Sequence, residues 1–451
     1  MLVPNLRRAA SKLVGRFPVY HAFPPGELRT RAYLRYHQGA KWAKVAKVVR
    51  ARGGIPTRPL GSALALTRGA FQAGEDDLVI PSLDALEKAY PRSAAVQELR
   101  CDLCTFQGDL DEALQRAIRA RELKPNSVTA TARVVKLSQQ VREQEVADQE
   151  AVSAVRTFPR STLVVSAASK AAASAEQFER LLATWREASP DPVGDLPRVV
   201  RQLANGAMRT GRLDRAAELY REVIGLIIDG RATPRRFSMP TLQPHSAWTA
   251  MLDLNRVLDA AGVPYFFAAG TVLGLIREGG PLPGDDDIDV GVLDRDWDRD
   301  ALEDLFRKDP QFVVNFHPQT QKVGLNHRGG TRIDIFRFYP EAERIWHDGV
   351  FVRWHNTPFT VVRRPFNGAE LPVPEDAETY LTENYGDWRT PNPGFDAFTK
   401  DAPNVEVTWP EYLDIHLLRR AYRKLVAGDL AAAQADLRRV GEVDLADRLR
   451  V

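Results

Sequence analysis

Four aspartates fall within five consecutive positions, Asp285, Asp286, Asp287 and Asp289. From Asp287 to Val290 charged and apolar residues alternate, the pattern of a strand, and this puts Asp287 and Asp289 on one face. Two carboxylates side by side repel, and one takes up a proton unless a cation lies between them. Magnesium, with manganese as its substitute, fits such a set because it prefers oxygen ligands and leaves room for water and phosphate. Asp334 stands alone inside the apolar run Thr331–Tyr339, TRIDIFRFY, where an unpaired carboxylate is costly. It reads as a third carboxylate of the same site, or else as the partner of Arg332 or Arg337. A solvated acidic turn fits the alternation poorly. A calcium loop fits no better: Val290 stands where such a loop needs glycine, and no glutamate closes it at Asp296.

The elements that must position these residues can be read around them. Tyr265–Ala268 is short, aromatic and apolar and ends at a Gly-Thr pair, as a buried strand does. Thr271 is placed to cap a following helix whose apolar face is Val272, Leu275 and Ile276. Backbone N–H groups at Gly270 and Thr271, with the helix dipole, suit an anion, and Arg277 adds a fork-shaped cation able to hold phosphate. The run Gly280–Gly284, GPLPG, forces a loop into the aspartates. Lys322, ahead of the second strand, could reach a phosphate, but like its neighbours His327 and Arg328 it reads first as a solvated loop residue. The stretch argues for a metal-assisted phosphate site.

Gly270, Thr271, Leu273, Gly274, Arg277, Pro283, Asp285, Asp286, Asp287, Ile288 and Asp289 spell GTxLGxxR followed by PxDDDID. A second block, Phe366, Gly368, Val373, Pro374, Tyr380, Leu381, Tyr385, Gly386, Asp387 and Trp388, spells F-G, VP, YL and YGDW. In these residues the sequence resembles the LicD family of phosphocholine and fukutin-type phosphoalditol transferases, over about residues 250 to 400. One departure is Gly284, where that family usually carries an aromatic residue. The resemblance implies a nucleotidyltransferase fold of the polymerase β type, a CDP-activated donor and a glycan or glycolipid acceptor. It also implies that Gly270, Thr271, Gly274 and Arg277 border the donor; Lys322 is a further candidate by its position alone.

At 451 residues the chain has room for two or three domains. A net charge of +3 is too small to point to nucleic acid, and two cysteines are too few for a disulfide scaffold, so a reducing cytoplasm fits. Residues 5–17, NLRRAASKLVGRF, form a basic amphipathic pattern suited to the inner membrane face or to an ordinary solvated helix. Pro91-Arg-Ser, Pro125-Asn-Ser and Pro159-Arg-Ser repeat at 125 − 91 = 34 and 159 − 125 = 34 residues, the tetratricopeptide period. Gly108, Ala113 and Ala120 stand at the turn-glycine and small-residue positions of that repeat, and Gly211, Ala216 and Tyr220 repeat its Gly, Ala, aromatic spacing in a later unit. Stacked helix pairs of this kind offer a surface to a protein partner. Cys101 and Cys104 form a C-x-x-C, but in this register they are helix-packing residues, with no second pair to complete a metal site.

The expected class is α+β. A basic segment over 1–27 precedes a tetratricopeptide-like helical domain over 28–230 and a linker over 231–248; a mixed-sheet catalytic domain over 249–408 and final helices over 409–451 follow. The expected activity is transfer of phosphocholine or a phosphoalditol by Asp287, Asp289 and Asp334. Nucleotidyl transfer from an NTP, or a scaffold for glycan-synthesis enzymes, are the alternatives. Tyr385 and Trp388 read as a rim for a sugar or base, or as core aromatics.

Overall fold

Alternating segments become strands and amphipathic segments become helices along residues 42–234, 241–282, 284–315, 320–392 and 394–449, the part of the chain described by the computed structural model. The basic segment 5–17, residues 235–240 of the linker and Pro283 lie outside the described residues. By packing, the chain forms two compact units: one runs to Asp109 and resumes up to Glu406, and the other takes the chain from Leu110 and again from Val407. This division cuts across the expected single helical domain of 28–230. The helices Trp42–Ala51, Leu60–Gln72, Asp76–Ala89 and Ala94–Phe106 belong with the sheet.

The sheet carries β1 (Phe266–Phe267), β2 (Asp287–Leu293), β3 (Phe312–Asn315), β4 (Lys322–His327), β5 (Arg332–Glu341), β6 (Arg344–Asp348) and β7 (Val352–Asn356). β5 is the longest and organises the rest. One edge pairs in parallel with β2, with Asp289 opposite Asp334 and Asp287 opposite Arg332. The other edge pairs antiparallel first with β4 and then with β6. A separate two-stranded sheet is the hairpin of β8 (Val361–Phe366) and β9 (Ala369–Pro374). The inward residues Ile288, Val290, Val292, Ile333 and Ile335 are fully buried or nearly so, and the helix Pro244–Ala260 covers them with Met251, Leu254 and Leu258. This is the alternation that the aspartate strand advertised.

The helices of the first unit are fastened to this sheet by a buried ion pair. Arg328, in the turn between β4 and β5, has a side chain with no exposed surface; it pairs with Asp76 and lies over the Phe71 ring, 4.4 Å from its centre. His327 is equally buried: its Nδ1 accepts from the Gly329 N–H, so its Nε2–H donates to Asp253. Both residues were expected in a solvated loop. They are buried because their partners come from helices distant in sequence.

In the second unit, helices from Leu110 to Ile228 pack with Pro410–Ala427, Leu430–Arg439 and Val443–Arg448 around Phe178, Trp185, Tyr220 and Tyr422. The Tyr422 hydroxyl donates to the Pro197 carbonyl at 2.7 Å. The final helices, which follow the sheet domain in sequence, join this helical core. Along the chain, helices begin at Ala94, Val128 and Thr162, spaced 128 − 94 = 34 and 162 − 128 = 34 residues. The serine of each repeated phrase is the helix N-cap, and Ser127 and Ser161 accept the N–H three residues on. Cys101 and Cys104 are buried on one helix. No helix among the described residues is long and apolar enough to cross a membrane.

Candidate functional site

The site is assembled from one strand-to-helix turn and two neighbouring strands. β1 leads directly into the helix Ala269–Glu278, and Ala269 is held at φ 43°, a left-handed conformation uncommon outside glycine. Its N–H is fastened by the Tyr380 hydroxyl at 3.1 Å. The helix therefore starts two residues before Thr271, and its N-cap is Ala268. Thr271 is not the cap. Its hydroxyl accepts the N–H of Asp289 at 2.8 Å and so ties β2 to the first turn of the helix.

Gly270 is required by closeness. A Cβ there would sit 2.5 Å from Oδ2 of Asp285 and 3.8 Å from Oδ2 of Asp289, so both carboxylates lie against the helix start. Gly274 has a different reason to be glycine, one that involves no ligand: its Cβ would meet backbone atoms, Leu282 N at 2.5 Å and the Gly280 carbonyl oxygen at 2.6 Å. Backbone cannot rotate aside. Gly274→Ala should therefore cost about 1–3 kcal/mol, read as a lower urea midpoint, and displace the loop that delivers Asp285. Gly284 has φ 91°, and a Cβ there would touch nothing within 4 Å. The departure from the family's aromatic residue thus matches a backbone conformation that side chains rarely adopt.

Three carboxylates, those of Asp285, Asp286 and Asp287, can each bring an oxygen within 4.8 Å of the others. Asp289 and Asp334 lie beside them through the β2–β5 register. The two outer members of the expected trio have their own cations. Asp287 pairs with Arg332, and Asp334 accepts from Lys322 Nζ at 2.6 Å, with that ammonium 4.8 Å from the centre of the Phe336 ring. Asp289 has no ion pair among the described residues. Burial, then the charges of Asp287, Asp285 and Asp334, hold its carboxyl well above the usual carboxylate range. Burial and Asp334 push Asp287 up to about 7, and burial pushes Asp285 up to about 6. Clustered oxygen donors around a half-buried carboxylate with no ion pair among the described residues suit a small hard divalent cation.

Lys322 is thus committed to Asp334, and Arg337, the other cation considered for that aspartate, pairs with Asp294. Arg277 does not stand open for a phosphate. It donates to the Trp388 carbonyl and to Glu278, each at 2.8 Å, joining the helix to the second sequence block. Trp388 is a buried core aromatic that packs with Tyr380 and Leu381, so it forms no rim. Tyr380 and Arg332 are the site residues that sequence reasoning left aside. Tyr380 carried a signal in the family block, but its hydrogen bond spans 111 residues of sequence.

Residues 262–376 match the family model for the LicD/FKTN/FKRP nucleotidyltransferase domain. The chain is 28% identical over 166 residues to ribitol-5-phosphate transferase FKTN of Mus musculus, an alignment covering 34% of this chain and 36% of that protein. The Homo sapiens counterpart is 25% identical over the same length and share. An uncharacterised protein of Rickettsia prowazekii is 24% identical over 151 residues, 32% of this chain and 55% of that protein. The chain thus spans about a third of the length of the fukutin relatives, and the match falls on the strands and turn that carry the aspartates.

Proposed function

Starting from a LicD/FKTN/FKRP domain at residues 262–376, we propose that the protein transfers a phospho-substituent, phosphocholine or a phosphoalditol, from a CDP-activated donor to a cell-envelope glycan or glycolipid. The observation that carries the reading is the parallel register that sets Asp289 beside Asp334, with Asp287 on the same strand face and the helix start against Asp289. Magnesium, or manganese in its place, would be held by Asp287 and Asp289 with Asp334 as third ligand. Bound there, the cation would supply the positive charge that stabilises a departing nucleotide phosphate. Held in place by Lys322, Asp334 serves either as that third ligand or, in its stead, as the base that takes the proton of the acceptor hydroxyl. The first turn of the helix at Gly270 aims its dipole at the donor phosphate, and Thr271 keeps that turn in register with Asp289. Arg277 acts by positioning: its bond to the Trp388 carbonyl keeps the helix where its first turn can serve. The helices of the second unit, two of which start 34 residues apart, would offer a tetratricopeptide-like surface to a protein partner.

A thermal-shift panel tests this. CDP-choline, CDP-ribitol, CDP-glycerol, CTP and UDP-sugars are compared with and without magnesium on the protein and its Asp287→Asn, Asp289→Asn double variant. A ligand at a hundred times its Kd stabilises by about 2.7 kcal/mol. One CDP compound should raise Tm only with magnesium and only in the parent protein. A response to CTP alone, with pyrophosphate rather than CMP released, would assign nucleotidyl transfer instead. No response to any nucleotide would leave the helical scaffold as the function.

A further inference from the structure

Among the described residues, Lys322 and Arg332 are ion-paired with the aspartates and Arg277 lies on the helix that starts against them, and the three cations differ in their freedom. Lys322 is held against Asp334 and the Phe336 ring, with 15% of its side chain exposed. Arg277 is held by the Trp388 carbonyl and Glu278, with 18% exposed. Arg332 is 51% exposed, and among the described residues its guanidinium meets aspartates alone: Nη2 donates to Oδ2 of Asp287, directly opposite in the ladder, and Nη1 lies 3.6 Å from Oδ2 of Asp286. Asp287, Asp334 and Asp286 together supply the negative field around it. Burial does not fix this side chain; the carboxylates do.

A divalent cation entering the cluster draws on the same Asp287 oxygens and repels the guanidinium. A planar fork released beside a bound cation is well matched to a diphosphate, whose paired oxygens it can hold at two points. We propose that Arg332 is a place-holder that becomes a substrate-binding residue. It neutralises Asp287 and Asp286 while the cluster lacks a cation, gives way when one binds, and then clamps the donor's diphosphate. This rests on the metal-site reading of Asp287 and Asp289. No bond is made or broken in the exchange; one ion pair is traded for another.

The test uses the full chain, manganese as the cation and inorganic pyrophosphate as the phosphate probe. Manganese binding is followed by the loss of the free-ion electron paramagnetic resonance signal, and pyrophosphate binding to the manganese-loaded protein by calorimetry. Arg332→Gln, which keeps the stem of a half-exposed side chain, should bind manganese at least as tightly as the parent. It should bind pyrophosphate about tenfold or more weaker, the scale of a lost charge-assisted hydrogen bond. Arg332→Lys should fall between, because it retains charge without the fork. Manganese binding that weakens in Arg332→Gln would overturn the proposal and make the arginine a support for the carboxylate. Unchanged pyrophosphate affinity would overturn it equally, leaving the metal site intact. A parent protein that binds no manganese would remove the metal-site reading itself, and the exchange with it.

Discussion

Asp289→Asn should abolish turnover while making the metal-free protein more stable. Both halves follow from one fact: Asp289 is the half-buried carboxylate between Asp287 and Asp334, and unlike those two it has no ion pair among the described residues. Removing its charge removes the central ligand of the proposed cation. Several kcal/mol of transition-state stabilisation disappear with it, about a thousandfold or more in rate. The same substitution relieves repulsion among Asp285, Asp287 and Asp289. A gain of about 1 kcal/mol would raise Tm by about 2–4 °C for a domain of this size. The pH dependence has a definite sign. Asp287 is pushed up to about 7 and Asp285 to about 6, above the unfolded carboxylate value of roughly 4. Between those limits the folded chain binds more protons than the unfolded one, so stability in a chelating buffer falls as pH rises from about 4 to about 7. The advantage of the asparagine variant should widen over that window, and added magnesium should close it by stabilising only the parent. Melting curves at pH 5 and pH 8, with EDTA or magnesium, read this directly. An asparagine variant less stable than the parent at pH 8 in EDTA would mean that Asp289 is a structural residue.

How much of this was legible depends on how local the cause is. Alternation alone put Asp287 and Asp289 on one face, because strand geometry needs no partner to be read. The family block placed the domain, and the comparisons agree with it over residues 262–376. The 34-residue phrase announced a repeat, and the structure adds that its serines are helix N-caps, a role decided within four residues. What the sequence could not reveal was supplied by distant chain. Thr271 has the composition of a cap, yet Tyr380 fastens the amide of Ala269 and the helix begins earlier. Arg277 has the chemistry of a phosphate clamp, but a carbonyl 111 residues away takes it. The parallel register of β2 and β5, which sets Asp334 beside Asp289 and Arg332 beside Asp287, is invisible in either strand by itself.

Asp76 and Asp77 are sequence neighbours, both in the first turn of one helix, and substituting them should have very different consequences. Asp77 pairs with Arg50 at the surface, with 59% and 44% of the side chains exposed, so Asp77→Ala should cost less than about 1 kcal/mol. Asp76 pairs with Arg328, whose side chain is fully enclosed over Phe71. Removing the carboxylate strands a guanidinium away from water, and Asp76→Ala should cost about 3–5 kcal/mol. Arg328 lies in the turn between the strands that present Lys322 and Asp334, and its own N–H donates to the Gln311 carbonyl at 2.8 Å. Loosening it should therefore weaken magnesium binding together with stability, an effect that Asp77→Ala should lack. Arg328→Met separates lost charge pairing from lost packing: it keeps an apolar contact with Phe71 and leaves Asp76, 31% exposed, able to hydrate. It should cost less than Asp76→Ala, and the double variant should resemble Arg328→Met. Urea midpoints of the four proteins decide the matter; equal losses for Asp76→Ala and Asp77→Ala would mean that the helices of the first unit are not held to its sheet by this buried charge.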